Sequence, residues 1–117
     1  MTGRWWLTDC DAWQMAFDFP NIDWAPTAWR ELDRTLAYIE ESSPASAGRL
    51  AGLVLEALRL LSEHPEAGPI FQEHNGRREF RRLLVGRYLL FYTVREKRVL
   101  LVRFWDTRRS PSDLVLE

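Results

Sequence analysis

The hydrophobic pattern of the sequence changes near Pro65 from a helical period to a strand period. Before Pro65, apolar residues recur every three or four positions in two stretches, which is typical of amphipathic helices. The first stretch follows Pro26, with Thr27 as the expected N-cap, and the second starts with Ser43 as N-cap and Pro44 in the first helical position. After Pro65, apolar and polar residues alternate as in half-buried strands. A chain ordered in this way is expected to fold as an α+β domain.

The two predicted helices differ in how much of their surface is apolar. Glu31 falls on the polar side of the first helix, so we expect it to face solvent. In the second helix, Leu53, Leu55 and Leu60 widen the apolar stripe almost all round, and such a helix often presents a surface to a partner. The stripes themselves are Trp29, Leu32, Leu36 and Ile39, and then Ala47, Leu50, Ala51, Val54, Ala57, Leu58 and Leu61.

Three strands are predicted after the helices, at Arg78–Val85, Arg87–Arg95 and Arg98–Trp105. Tight turns at Gly86 and at Glu96–Lys97 make these strands an antiparallel meander. A short strand at residues 21–25 precedes the helices, whereas residues 66–76 contain turn-forming glycines and prolines and are expected to be a loop. The predicted order is strand, helix, helix, strand, strand, strand. The helical hairpin should pack on one face of a small antiparallel sheet.

Strict alternation in the last strand predicts which side chains share a face. It places Leu100, Val102 and Phe104 together and Leu101, Arg103 and Trp105 on the opposite face. The face away from the helices is the place where we expect arginines to gather.

The length of 117 residues suits one domain. We predict a domain at residues 21–117, preceded by an appendage at residues 1–20 that contains a short helix or an extension upstream of a true start at Met15. Whether residues 1–14 belong to the native protein stays open. The single Cys10 cannot form an internal disulfide, which favours a reduced cytoplasmic setting. No apolar stretch is long enough for a membrane span.

Charge is distributed unevenly along the chain. Residues 77–109 hold eleven Arg and Lys against three Asp and Glu, a net charge of +8, although the whole chain carries −1. This asymmetry favours a polyanion or an acidic peptide as the partner, and the alternative is a solvated strand face. The expected target-binding residues are Arg81, Arg82, Tyr92, Arg103, Trp105, Arg108 and Arg109.

The sequence predicts neither a metal site nor a cofactor. Two His and one Cys without zinc-like spacing, and no glycine-rich phosphate loop, are the basis of this expectation. Because arginine does not deprotonate in proteins, a nuclease built on this surface needs a separate proton shuttle. His74 is the candidate closest to the arginine-rich strands, with an ordinary solvent-exposed role as the alternative.

Several segments in order resemble the RelE/ParE superfamily of toxins from type II toxin–antitoxin systems. They are Leu32–Glu40, Ser43–Ala47, Pro65–Gly68, Arg78–Phe80, Tyr88–Val94, Val99–Val102 and Asp106–Pro111. The resemblance spans about three quarters of the chain. It implies a cytoplasmic, growth-inhibiting toxin that forms a hetero-oligomer with a cognate antitoxin, and Leu53, Leu55 and Leu60 are the expected antitoxin contacts.

Two departures from the family pattern bear on the target. RelE-like toxins cleave mRNA on the ribosome, and they often carry a catalytic Arg where this chain has Leu89 and a C-terminal Tyr where it has Leu114–Leu116. Arg109, and also Arg82, match basic residues of the RelE-like site, so with His74 they are the candidates for catalysis. The resemblance therefore favours a ParE-like inhibitor of DNA gyrase. A metal-independent, ribosome-dependent endoribonuclease and a non-toxic interaction module are the alternatives.

Overall fold

The computed structural model describes residues 17–74 and 78–116. The predicted helix in the N-terminal appendage lies mostly outside these residues. The elements are, in order, β1 (Ile22–Trp24), α1 (Pro26–Ser42), α2 (Pro44–Glu63), β2 (Ile70–His74), β3 (Arg78–Val85), β4 (Tyr88–Arg95) and β5 (Arg98–Asp106), followed by a single 3-10 turn at Pro111–Asp113. The α+β class is confirmed, and the two helices and four strands predicted for residues 21–117 are all present.

The sheet differs from the prediction in having five strands of mixed direction. Their order is β1-β5-β4-β3-β2, and β1 runs parallel to β5 while all other neighbours are antiparallel. The predicted antiparallel meander of β3, β4 and β5 is present, and the parallel pairing of β1 with β5 makes the whole sheet mixed. The helical hairpin connects β1 to the later strands. Strand β1 forms one edge of the sheet, beside β5, and runs in the same direction as β5.

Strand β2 lies inside the segment that was predicted to be a loop. Gly68 and Pro69 do break the chain as expected, but Ile70–His74 then pairs with β3 along the free edge of the sheet. The pairing is irregular between Ile70 and Gln72. A short, irregular edge strand has too little alternation to be distinguished from a loop in the sequence.

The two helices begin at prolines. In α2, the Ser43 side chain accepts a hydrogen bond from the Ser46 backbone N–H at 3.1 Å, so Ser43 is the N-cap, as predicted. In α1 the N-cap is Ala25, with no side-chain hydrogen bond, because Pro26 already occupies the first helical turn. The prediction of Thr27 as the cap was wrong. Among the described residues, no helix is sufficiently long and apolar to span a membrane.

The main core lies between the helical hairpin and the sheet. At one end, Phe17, Trp24 and Trp29 pack edge to face or tilted, with ring centroids 5.4 to 6.4 Å apart. Phe17 belongs to the predicted appendage, yet only 1% of it is exposed. The rest of this core consists largely of aliphatic side chains from α1, α2 and the inward positions of β1, β3, β4 and β5.

A second apolar cluster covers the opposite face of the sheet. Phe80, Phe91, Val102 and Trp105 are buried there, and Leu89, Leu114 and Leu116 pack on them. The prediction of an arginine-lined face was therefore only partly right, because apolar side chains and the C-terminal segment occupy much of it.

A β-bulge in β5 changes the predicted alternation. Phe91 pairs with Arg103 whereas its neighbour Tyr92 pairs with Leu101, so Val102 is the extra residue. Leu101 and Phe104 consequently both face the main core, while Val102 and Trp105 face the second cluster. The bulge overturns the predicted face assignments of β5 because strict period-two alternation does not allow for an inserted residue.

Candidate functional site

Glu31, on the second turn of α1, carries a carboxylate that contacts two residues of β5. Its carboxylate accepts hydrogen bonds from Arg103 Nε at 3.0 Å, from Arg103 Nη2 at 2.6 Å and from the Phe104 backbone N–H at 3.0 Å. Strand β1 pairs with β5 only as far as Leu101, so Glu31 satisfies a backbone donor on the edge of β5 beyond the end of β1. This carboxylate therefore joins α1 to the last strand.

Trp105 holds two guanidinium groups near its ring. The Cζ atom of Arg109 lies 4.1 Å from the ring centroid and that of Arg103 lies 4.9 Å away, both within cation–π range. Trp105 itself is only 2% exposed. The indole thus supports the arginines and does not itself face outward.

Arg103 and Arg109 differ in how their charges are compensated. The Arg103 side chain is only 14% exposed and, besides Glu31, it donates from Nη1 to the Val115 carbonyl oxygen at 2.8 Å. The Arg109 side chain is 50% exposed, and its Nη1 lies 3.8 Å from Glu31 Oε2. Within the described residues, no atom accepts a hydrogen bond from the Arg109 guanidinium. Arg109 is therefore held in place with its donors available.

Arg108, next to Arg109, is engaged by an acidic neighbour. Its Nε and Nη2 donate to the Asp106 carboxylate at distances from 2.7 to 3.2 Å, and its backbone N–H donates to the same group. The hydrogen bond from Arg108 holds the pKa of Asp106 below its ordinary value of 3.8. This ion pair stiffens the exit of β5, although Arg108 remains largely exposed to solvent.

Arg81 and Tyr92 lie on the helix side of the sheet, away from Arg109. The Tyr92 hydroxyl accepts a hydrogen bond from the Gly68 N–H at 2.8 Å, and Arg81 Nη1 donates to the Gly68 carbonyl oxygen at 2.7 Å. Tyr92 is fully buried, and burial raises its pKa above the ordinary value of 10.0. Tyr92 and Arg81, both predicted to bind the target, instead hold the loop before β2 against the sheet.

Arg82 lies on the same face as the second apolar cluster. Its guanidinium lies over the Phe71 ring, 4.9 Å from the centroid, and Phe71 packs edge-on against Phe91 at 5.1 Å. Arg82 and Arg103 both pair with Phe91, from β3 and β5 respectively. Of the seven predicted target-binding residues, Arg82, Arg103, Trp105 and Arg109 therefore share one side of the sheet, with Arg108 at its end.

The candidate proton shuttle, His74, is the last residue of β2 and pairs with Arg78 through the backbone. Its side chain lies outside the described part of the structure. No group of three His, Cys, Asp or Glu side chains suited to a metal ion is found within residues 17–74 and 78–116.

The predicted antitoxin contacts do not all face the same way. Leu53 and Leu60, seven residues apart and so on one side of α2, are 43% and 40% exposed. Leu55 is half-buried and packs against the main core. Leu53 also lies beside the β3–β4 turn, where its Cδ1 is 3.4 Å from the position that a Cβ on Gly86 would occupy.

Glu31 was not among the residues predicted for the site, because its place on the polar side of α1 predicted exposure to solvent. No local signal marks it, because its main partner Arg103 is 72 residues away and an acidic residue on the polar side of a helix is ordinary.

Comparison with known proteins places this arrangement in a family. A family model described as ParE toxin of type II toxin-antitoxin system, parDE, matches residues 22–111. A solved structure described as a chromosomal ParDE TA system from P. aeruginosa has the same fold, with a TM-score of 0.60 and 17% sequence identity, over 75% of this chain and 96% of that chain. No curated protein matches the sequence significantly. The family match covers most of the chain, and the chain therefore belongs to the ParE toxin family of type II toxin–antitoxin systems.

Proposed function

We propose that this toxin arrests growth by binding DNA gyrase as a protein inhibitor, and that a cognate antitoxin neutralises it in a cytoplasmic hetero-oligomer. The observation that carries the proposal is the geometry of Arg109, a half-exposed guanidinium held on Trp105 with its hydrogen-bond donors available. Such a group binds a carboxylate through paired, charge-assisted hydrogen bonds.

The chemistry around Arg109 favours binding over catalysis. Arginine stabilises charge but does not shuttle protons. Tyr92 is buried and hydrogen-bonded, and burial moves its pKa still further above the neutral range, so it does not serve as a general base. Leu89 stands where RelE-like enzymes often carry a catalytic arginine. This combination supports an inhibitor that acts through its surface.

A ribosome-dependent endoribonuclease is the alternative, and one observation favours it. Arg82 stacked on the 40% exposed Phe71 is a combination on which an unstacked RNA base can rest. Purified toxin added separately to gyrase supercoiling reactions and to ribosomes programmed with mRNA distinguishes the two. Inhibited supercoiling with intact mRNA supports the gyrase proposal, whereas cut mRNA with normal supercoiling refutes it.

Substitution of Arg109 tests the surface in cells. Arg109→Ala is expected to restore growth to cells that express the toxin, with an unchanged circular dichroism spectrum, and Arg108→Ala is expected to relieve arrest as well. Arg95→Ala is the matched control, because Arg95 is an exposed arginine at the end of β4 that lies away from Arg109. Growth arrest that survives Arg109→Ala but is abolished by His74→Ala contradicts the proposal and favours the nuclease.

For the antitoxin we propose a docking surface formed by Leu53 and Leu60 on α2. Their exposed apolar surface beside a strongly basic sheet fits a partner segment that is both apolar and acidic. Leu53→Asp combined with Leu60→Asp is expected to abolish copurification with the antitoxin encoded alongside. Leu84→Asp, at a leucine that is 65% exposed on the other face of the sheet, is the control and should retain the antitoxin. Toxin that expresses alone as a harmless monomer contradicts the toxin–antitoxin assignment.

A further inference from the structure

Arg109 is placed to recognise an anion before any partner arrives. Its guanidinium is stacked on Trp105, which is itself buried, so the side chain loses little further freedom when it forms hydrogen bonds. Half of the side chain is exposed, and none of the described atoms takes up its donors. These features make Arg109 the anchor of a preformed anion site.

The Glu31 carboxylate, which is ion-paired with Arg103, lies beside this anchor. Glu31 Oε2 is 3.8 Å from Arg109 Nη1, and the Glu31 side chain is only 16% exposed. Its carboxylate is held by Arg103 and by the Phe104 N–H, so it cannot swing away when a ligand binds. Any anion that reaches Arg109 therefore meets Glu31 at close range.

The negative charge of Glu31 affects the binding of acidic proteins and of nucleic acids differently. A protein partner can present one carboxylate with uncharged neighbours, so only that group lies near Glu31. Each strand of duplex DNA carries a phosphate charge about every 3.4 Å of helix axis, and in a single strand too several phosphates lie within the screening length of about 10 Å at 0.1 M salt. Glu31 thus repels a nucleic acid through several charges and an isolated carboxylate through one.

We propose that Glu31 is a specificity-determining residue, which tunes the Trp105–Arg109 anchor to accept a carboxylate from a protein partner and to reject the phosphate backbone of nucleic acids. The inference rests on the proposed function, in which the toxin acts on a protein. It explains how a chain with a strongly basic meander can avoid binding nucleic acid indiscriminately.

The test is binding of a fluorescent single-stranded oligo-uridine to the purified full-length toxin, measured by anisotropy across a salt series. Glu31→Gln keeps the shape of the side chain and an acceptor for the Phe104 N–H, but it removes the charge and one of the two acceptors for Arg103. We expect it to bind oligo-uridine about tenfold more tightly at low salt, with a salt slope steeper by about 0.7 because one more phosphate is neutralised. Binding of a peptide with a single Asp should change much less.

The matched control is Glu40→Gln, which removes the same charge from an exposed residue of the same helix. Glu40 lies nine residues from Glu31, which is about 13 Å along the helix axis, so it should have little effect on the anchor. Glu31→Asp, which retains the charge, should keep the selectivity of the wild type. The gain from Glu31→Gln should also vanish in an Arg109→Ala background, which a merely structural role of Glu31 does not predict.

The proposal is overturned if Glu31→Gln binds oligo-uridine no more tightly than Glu40→Gln, or if its gain persists without Arg109. Glu31→Ala is a second charge-free variant should the Gln variant fail to fold, because water can reach the vacated position at this partly exposed site. The outcome is separable from the proposed function. If growth arrest requires Arg109 but Glu31→Gln leaves oligo-uridine binding unchanged, the proposed role of Glu31 is refuted while the proposed function of the toxin stands.

Discussion

At the scale of single residues, Gly68 lies at a position that leaves no room for a side chain. A Cβ atom there would lie 2.5 Å from the Arg82 carbonyl oxygen and 2.7 Å from the Tyr92 hydroxyl. The same residue uses its N–H and its carbonyl oxygen to bind Tyr92 and Arg81. Three groups thus converge on one glycine, and through it the loop that leads into β2 is fixed to the sheet.

Substitution of Gly68 should be costly. Gly68→Ala is expected to lower the free energy of unfolding by about 2 kcal/mol or more, because the methyl group forces the loop from the sheet and leaves buried polar groups unpaired. Urea denaturation measures the loss. A variant as stable as the wild type contradicts the packing described for this loop.

Tyr92 makes stability depend on pH in the alkaline range. Burial raises its pKa above 10.0, so the folded protein keeps the phenol protonated at a pH where the unfolded chain has begun to ionise. The contribution of Tyr92 is therefore complete below about pH 10 and is lost as the pH rises above it. Tyr92→Phe should be less stable at neutral pH by about 1–3 kcal/mol because the Gly68 N–H loses its acceptor. Its stability should then fall less steeply than that of the wild type above pH 10, and parallel curves would contradict the raised pKa.

At the scale of elements, α2 packs against the main core on one side and is exposed to solvent on the other. Its inward residues fill the main core, while Gly48 and Gly52 lie on its surface, where a Cβ added to either glycine would have no neighbouring atom within 4 Å. Glycine within a helix is less favourable than alanine by roughly 1 kcal/mol. No contact within the described residues requires these glycines, so α2 is less stable than it need be.

Alanine at Gly52 should stabilise the free toxin. Gly52→Ala is expected to raise the free energy of unfolding by about 0.5–1 kcal/mol, which a thermal melt detects as a higher Tm. The effect on antitoxin affinity is informative, since Gly52 adjoins Leu53 on the proposed docking surface. A stabilised toxin that binds its antitoxin more weakly indicates close approach of the antitoxin to the helix backbone, and a destabilised toxin contradicts the open environment of Gly52.

At the scale of the whole molecule, one sheet separates two apolar clusters of unequal size. The helical hairpin covers the larger one, and Leu114 and Leu116 help to cover the smaller one on the opposite face. Arg103 links the two sides, because it binds Glu31 on α1 and the Val115 carbonyl oxygen in the C-terminal segment. The arrangement of the anchor thus depends on helix, strand and C-terminal segment together.

Removal of the C-terminal cover should affect the smaller cluster selectively. Leu114→Ala with Leu116→Ala is expected to cost about 1–3 kcal/mol, since both side chains are half-buried. Amide hydrogen exchange should accelerate in the C-terminal segment and in β5, while α1 and α2 remain protected. Val115→Ala is the matched control, because the Val115 side chain is 61% exposed and should contribute little. Equal acceleration in α2 would show that the two clusters are not independent.

The local pattern of the sequence determined the elements that rest on contacts close along the chain. The helical stripes of α1 and α2, the Ser43 cap, and the turns that join β3, β4 and β5 all follow from periodicity and turn chemistry within about twenty residues. The same pattern correctly favoured the α+β class, and the family resemblance read from the sequence was confirmed.

Only the tertiary structure decided the features that depend on distant partners. The parallel pairing of β1 with β5, the edge position of β2 and the bulge at Val102 are set by packing between elements, which a local pattern does not encode. The predicted arginine set was separated for the same reason, since Arg81 binds the Gly68 carbonyl oxygen on the helix side of the sheet whereas Arg109 lies over Trp105. Glu31 acquired its role because chain folding brings a residue on the polar side of α1 against β5, 72 positions away.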